Sequence, residues 1–341
     1  MSDSNHRIHE NIVLDKEIKT IDDLINLAQI YDSEKTYNIN LYKLYYLLPE
    51  LYRLKDMVGM QRVKSAIVGH ILFFIQHLQD KNNDMMHTVI QGPPGVGKTM
   101  LARIVGEIYS KMDIIKQPLK RNGKKRNKFR VVCRSDLIGK FLGHTAVQTQ
   151  ECVDSCLGGV LFIDEAYSLG SVEGRDSFAK ECIDTLNQNL TEKKNQFLCI
   201  IAGYKDDLDK CFFAHNEGLA RRFPFVYTID KYTAAELFEI FQIMIAKLGN
   251  EWQMDENDID KIKKLFLDHC KSFENQAGDM ETLLFNIKIE HGRRMFCATP
   301  CTKRKNISYH DVKNGIDLFL MNKKTSKEDV ESKNRYLSMY T

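Results

Sequence analysis

Long apolar runs are missing from this chain. No stretch approaches the roughly 20 consecutive apolar residues of a membrane-spanning helix, so no membrane span is expected. The opening residues MSDSNHRIHE have no apolar core behind a basic start, and a secretory leader is not expected either. Proline is scarce, with six in 341 residues; together with 43% hydrophobic and 28% charged residues this is the composition of a globular protein, long enough for two domains. The nine cysteines form no C-x-x-C pair, and the nearest spacings, Cys152/Cys156 and Cys297/Cys301, have no partner pair with the geometry of a zinc site. Cys133 and Cys199 fall inside apolar strand patterns, where a free thiol behaves as a small hydrophobe. These absences predict a reducing intracellular compartment, cytoplasmic, with the nucleus left open. The net charge of +3 selects no class of partner.

What the chain does contain is GPPGVGKT at residues 92–99, a match to G-x-x-x-x-G-K-[ST]. An apolar run at 87–91 (HTVIQ) precedes it as a strand, and 100–108 (MLARIVGEI) follows with apolar residues at helical spacing. An accidental Gly/Pro turn would not carry both flanks. The backbone of Gly92, Pro93, Pro94, Gly95, Val96 and Gly97 would wrap the phosphates, with the start of the next helix, through Met100, adding its partial positive charge. Lys98 would reach the β- and γ-phosphates of ATP, and the Thr99 hydroxyl would ligate Mg²⁺. About 65 residues on, four apolar residues lead into Asp164 and Glu165. Asp164 suits the Mg²⁺ shell and Glu165 the polarisation of an attacking water.

Alternating strand and helix patterns from about Leu54 predict an α/β fold with a five-stranded parallel sheet, with strands at 87–91, 129–133, 159–163, 197–202 and 224–229. Residues 1–53 read as a helical extension, with Thr20 as an N-cap and an apolar stripe of Leu41, Tyr45, Leu48 and Leu51 that docks on the main domain. Glu50, Arg53 and Lys55 interrupt that stripe, which favours packing over a membrane role. The nucleotide-binding domain spans 54–230. Residues 231–322 read as a small all-helical lid domain without strands, and 323–341 as a charged tail frayed over 323–333. A basic insert at 111–130 sets nine lysines and arginines against Asp113 alone. It reads either as a contact for nucleic-acid phosphates or as a solvated loop; no aromatics are interleaved for base stacking before the strand that opens at Phe129.

Several segments together resemble one AAA+ group, the red-type rubisco activases and stage V sporulation protein K-like ATPases. They are residues 134–146 (RSDLIGKFLGHTA), 158–167 (GGVLFIDEAY), 178–186 (FAKECIDTL) and 201–204 (IAGY) followed by Phe212 and Phe213. The resemblance covers about 54–245. It implies a hexameric ring that couples ATP turnover to work on a protein client. It places Val58 and Gly59 near the adenine, and Arg221 and Arg222 as fingers reaching a neighbouring subunit's nucleotide; the alternative is a surface pair capping the preceding helix. It also places Phe141, Leu142 and Gly143 in the pore loop, where the alternative is a core-packed Phe141, and residues 170–175 in a second loop towards the pore. Two positions depart from the wider AAA+ pattern. Tyr204 stands where a polar residue orients water, and Glu281 stands where an arginine touches the γ-phosphate, with Arg293 and Arg294 as nearby substitutes. The leading expectation is an ATP-driven protein remodeller. The alternatives are a nucleic-acid-dependent ATPase of clamp-loader or branch-migration type, and a nucleotide-gated scaffold with low turnover.

Overall fold

Thr20 starts the first helix by pairing two donors that would otherwise be orphaned. Its hydroxyl accepts the Asp23 backbone N–H (3.1 Å), and the Asp23 carboxylate accepts the Thr20 N–H (3.0 Å). The computed structural model that shows this describes residues 11–80, 84–112, 114–115, 129–141, 143–170, 176–216, 218–249, 252–296 and 305–338. Its contacts divide the chain into two units, Met1–Gly92 with Gly97–Asp230 and Pro93–Val96 with Lys231–Thr341. Residues 116–128 of the basic insert, and Cys297 and Cys301, lie outside the described residues.

In the first unit, α1 (Ile21–Gln29) packs on α2 (Leu41–Tyr46), α3 (Leu48–Lys55) and α4 (Gln61–Ile75). The buried stripe here is Leu41, Leu44, Leu47, Leu51 and Leu54, whereas Tyr45 is exposed and Leu48 half-buried. The expected stripe assumed one continuous helix. Instead α2 stops at Tyr46, and α3 restarts with Pro49 in its first turn, which shifts the helical phase. A two-residue parallel pairing of β1 (Asn11–Ile12) with β2 (Thr36–Tyr37) adds strand to a segment read as purely helical.

The sheet consists of β3 (Thr88–Gln91), β4 (Phe129–Val132), β5 (Val160–Ile163), β6 (Leu198–Gly203) and β7 (Phe225–Thr228), all parallel, in the order β4-β5-β6-β3-β7. Every residue of β5 and β6 is buried, as expected of strands covered on both faces, while the edge strands β4 and β7 are part-exposed. The crossovers are α5 (Lys98–Lys111), α6 (Arg134–Leu137) with α7 (His144–Ser155), α8 (Ser177–Glu192) and a broken segment that opens with α9 (Lys205–Asp207). Cys199 is buried in β6, but Cys133 lies one residue past β4 and is exposed: it N-caps α6 rather than packing inside a strand. Among the described residues no disulfide forms. Buried His87 ties the sheet to α8. Its Nδ1 accepts the Cys199 N–H (3.0 Å), Nε2 donates to the Leu190 carbonyl (3.1 Å), and burial pushes its pKa down to about 4, which keeps it neutral.

In the second unit, α10 (Ala234–Lys247), α11 (Ile259–His269), α12 (Ala277–Met295) and α13 (Tyr309–Ser338) pack as a bundle. It is not strand-free: β8 (Gln253–Met254) pairs in parallel with β9 (Asn306–Ile307). Residues 323–333, expected as a frayed tail, fall within α13. Lys323 is fastened there, donating to the Ser272 carbonyl (2.6 Å) and pairing with Glu274 (3.4 Å). The segment Pro93–Val96 is held within this unit, with the Ala277 N–H donating to the Gly95 carbonyl (3.1 Å) and the Tyr232 hydroxyl to the Val96 carbonyl (3.0 Å). A Cβ on Gly95 would fall 1.9 Å from the Asn275 carbonyl oxygen, so that position excludes any side chain. Among the described residues no helix is long and apolar enough to cross a membrane.

Candidate functional site

Lys98, Thr99, Asp164 and Glu165 follow the carboxyl ends of β3 and β5, where open parallel sheets bind ligands. The loop after β3 turns tightly. Gly95 and Gly97 have φ of +69° and +85°, and a Cβ on Gly92 would approach the Ile229 carbonyl oxygen to 2.7 Å. Gly97 caps α5, so Lys98, Thr99 and Met100 form its first turn. The first N–H groups of a helix point away from its own carbonyls, which suits an anion.

Lys98 is half-buried and donates to the Gly92 carbonyl (3.0 Å). Burial lowers its pKa, against the opposing pull of Asp164 and Glu165. The Thr99 hydroxyl donates to one Asp164 carboxylate oxygen (3.1 Å), and the other accepts the Glu165 N–H (3.1 Å). One hydroxyl and one carboxylate converging in this way form a hard oxygen donor pair, of the kind that would suit Mg²⁺. Among the described residues no group of three or more His, Cys, Asp or Glu side chains could hold a metal alone. Glu165 is exposed and takes a left-handed backbone (φ +50°), which turns it off the end of β5. Both carboxylates line a cleft of about 480 Å³ with Cys133, Arg134, Ser135 and Ser168. Arg134 braces that cleft, bonding the Ser168 carbonyl and the Asp176 carboxylate (2.5 Å) that N-caps α8.

Two tyrosines complete the group. Tyr204, at the end of β6, stacks on Tyr167 with centroids 5.4 Å apart and planes at 23°, and Lys98 Nζ lies 5.0 Å from the Tyr204 centroid. Sequence reading marked Tyr204 only as a departure and gave Tyr167 no role. The signal for Tyr167 was its place two residues after Glu165.

Val58 is buried and Gly59 has φ +65°, in the turn between α3 and α4. Arg221 and Arg222 sit in a short 3₁₀ turn before β7 and differ sharply. Arg222 donates to the Thr191 hydroxyl (2.9 Å) and to the Gly218 carbonyl, whereas Arg221 is exposed and has no hydrogen-bond or ion-pair partner among the described residues. Phe141 is 65% exposed between α6 and α7, edge-on to His144, and Gly143 (φ +81°) caps α7. Leu142 and residues 171–175 lie outside the described residues. Glu281 is exposed on α12 of the second unit. Of its nearby substitutes, Arg294 is held by Asp311 (2.7 and 2.8 Å) and Arg293 by Glu290 (2.6 Å).

The family model of ATPases associated with various cellular activities (AAA) matches residues 88–223. A cfxQ-like protein of Acanthamoeba polyphaga mimivirus is 42% identical over 313 residues, covering 91% of this chain and 74% of that protein. The chloroplastic ribulose bisphosphate carboxylase/oxygenase activase of Cyanidioschyzon merolae is 31% identical over 260 residues, 73% of this chain and 83% of its own length. The crystal structure of the FIGL-1 AAA domain in complex with ADP superposes with a TM-score of 0.54 at 19% identity, over 77% of this chain and 83% of that one, a likeness of fold. The sheet order, the loop at 92–99 and these relatives agree: the chain belongs to the AAA family of ATPases, in the group that holds CfxQ homologues, stage V sporulation protein K and rubisco activase.

Proposed function

We propose that this chain hydrolyses ATP with Mg²⁺ and spends the free energy on remodelling or threading a protein client, as a hexameric ring. The observation that carries the reading is the convergence of Lys98, Thr99, Asp164 and Glu165 at the ends of β3 and β5, with Thr99 and Asp164 in direct contact at 3.1 Å. Lys98 would offset the charge of the β- and γ-phosphates, and Thr99 and Asp164 would hold Mg²⁺, which would supply further positive charge to the phosphates. Glu165, exposed beside Asp164, accepts a proton from the attacking water. Charge on the transferring phosphoryl group still needs a further cation, and an exposed guanidinium supplied by a neighbouring protomer answers that need.

Arg221 has the exposure for this task, while Arg222 is tied into its own turn. Arg221→Ala should therefore lower the turnover number at least about 10³-fold while ATP still binds. Arg222→Ala should instead lower the unfolding temperature. Phosphate release and thermal denaturation of the two variants separate the roles; equal loss of turnover in both would remove the distinction. An exposed Phe141 on a turn between two helices suits nonspecific grip on a moving chain, because an aromatic face binds side chains of many kinds. That one relative is named an activase of a protein enzyme supports a protein client as the class.

The direct test is steady-state release of inorganic phosphate from Mg-ATP by the full chain. Turnover above background that disappears without Mg²⁺ supports the proposal. A chain that binds ATP and releases none contradicts it.

A further inference from the structure

The sheet strand β6 ends in Gly203, and a Cβ there would come within 2.9 Å of the Tyr167 ring and 3.0 Å of Leu208. The absent side chain makes the space that Tyr167 occupies. Tyr167 in turn lies nearly parallel to Tyr204 at 5.4 Å, and the Lys98 ammonium sits 5.0 Å from the Tyr204 centroid. Four side-chain positions from three separate loops are thus linked in series: Gly203, Tyr167, Tyr204 and Lys98.

We infer that Tyr204 is a positioning residue for Lys98, its ring face holding the ammonium at the mouth of the phosphate loop while Tyr167, stacked behind, fixes the ring plane. The inference rests on reading residues 92–99 as an ATP site. Its physical basis is geometric: the Lys98 ammonium lies 5.0 Å from the Tyr204 centroid, where a ring face holds a partly desolvated cation in place. Asp164 and Glu165 add negative potential around it. A third carboxylate at the end of β6 would also repel the incoming phosphates. An aromatic face attracts the cation through its quadrupole without adding a formal negative charge beside the nucleotide. The polar group that other AAA+ proteins carry at this strand tip is then replaced by a ring that acts through the lysine and leaves water alone.

The ring and the hydroxyl are separable by substitution. In equilibrium titrations of the full chain with a fluorescent ATP analogue and Mg²⁺, Tyr204→Phe should match the native protein within about twofold, because the ring remains. Tyr204→Leu should weaken binding about tenfold and raise KM in step, with kcat changed much less. Tyr167→Leu, which leaves Lys98 and Tyr204 in place, should weaken binding in the same direction by a smaller factor. A cooperative unfolding transition establishes that each variant is folded; should Tyr204→Leu fail to fold, Tyr204→Gln removes the aromatic face with a polar chain and takes its place. Loss of a hundredfold in kcat for Tyr204→Phe would overturn the inference, because the hydroxyl would then be the working group. Unchanged ATP affinity in Tyr204→Leu, alongside abolished binding in Lys98→Ala, would also overturn it while leaving the ATP site intact. Normal binding in Lys98→Ala would remove the ATP site itself, and this inference with it.

Discussion

Lys98→Ala should lose ATP binding by a factor of about 10²–10⁴ and show no measurable turnover. The ammonium is the cation at the head of α5, aimed from the end of β3, and nothing else in the first turn carries charge. In the proposed complex it would make two charge-assisted contacts with the β- and γ-phosphates, each worth roughly 1.5–3 kcal/mol, and their sum converts to that range of affinity. Truncation would also leave the negative charge of Asp164 and Glu165 uncompensated beside bound phosphates, which would add to the loss. The fold should survive. Lys98 is half-buried, and its ammonium donates to the Gly92 carbonyl of the same loop. Titration with a fluorescent ATP analogue and phosphate release check both halves, with thermal unfolding as the control. Retained affinity would place the nucleotide elsewhere in the chain.

Glu165→Gln should separate binding from chemistry. Glutamine keeps the volume and the left-handed turn at φ +50° but cannot take a proton from water. Asp164 keeps its contact with Thr99, so the metal pair is undisturbed. ATP affinity should stay within a few fold of native and kcat should fall about 10²–10⁴-fold, the usual worth of a positioned general base. Single-turnover measurements identify the slowed step as hydrolysis. Equal weakening of binding and turnover would show instead that Glu165 belongs to the metal shell.

The five parallel strands and the loop between β3 and α5 were legible in the sequence because both signals are local. Buried parallel strands read as unbroken apolar runs, and a glycine-rich turn is spaced by its own backbone geometry. Thr20 and its acid at Asp23 were legible for the same reason. Features that depend on distant partners were not. α2 buries Leu44 and leaves Tyr45 exposed, and it ends at Tyr46 before α3 begins at Leu48, a break that periodicity over one window cannot register. The pairing of Gln253–Met254 with Asn306–Ile307 is two residues long, too short for any period to show. Residues 323–333 read as frayed from their charge, yet Lys323 is bonded to Ser272 fifty-one positions away. The stacking of Tyr167 on Tyr204 joins the ends of two different strands and has no trace in spacing. Adjacent Arg221 and Arg222 looked equivalent until the fold committed one of them to Thr191.

The claim that ties the site to a motor is that the exposed Arg221 completes a neighbour's nucleotide site. A site built across protomers requires assembly, and a bound, uncleaved ATP should favour it. The most direct measurement is the mass of Glu165→Gln by light scattering in saturating Mg-ATP. A mass of six protomers, falling back when ATP is removed, is the predicted result. A monomer at every ATP concentration would contradict the ring.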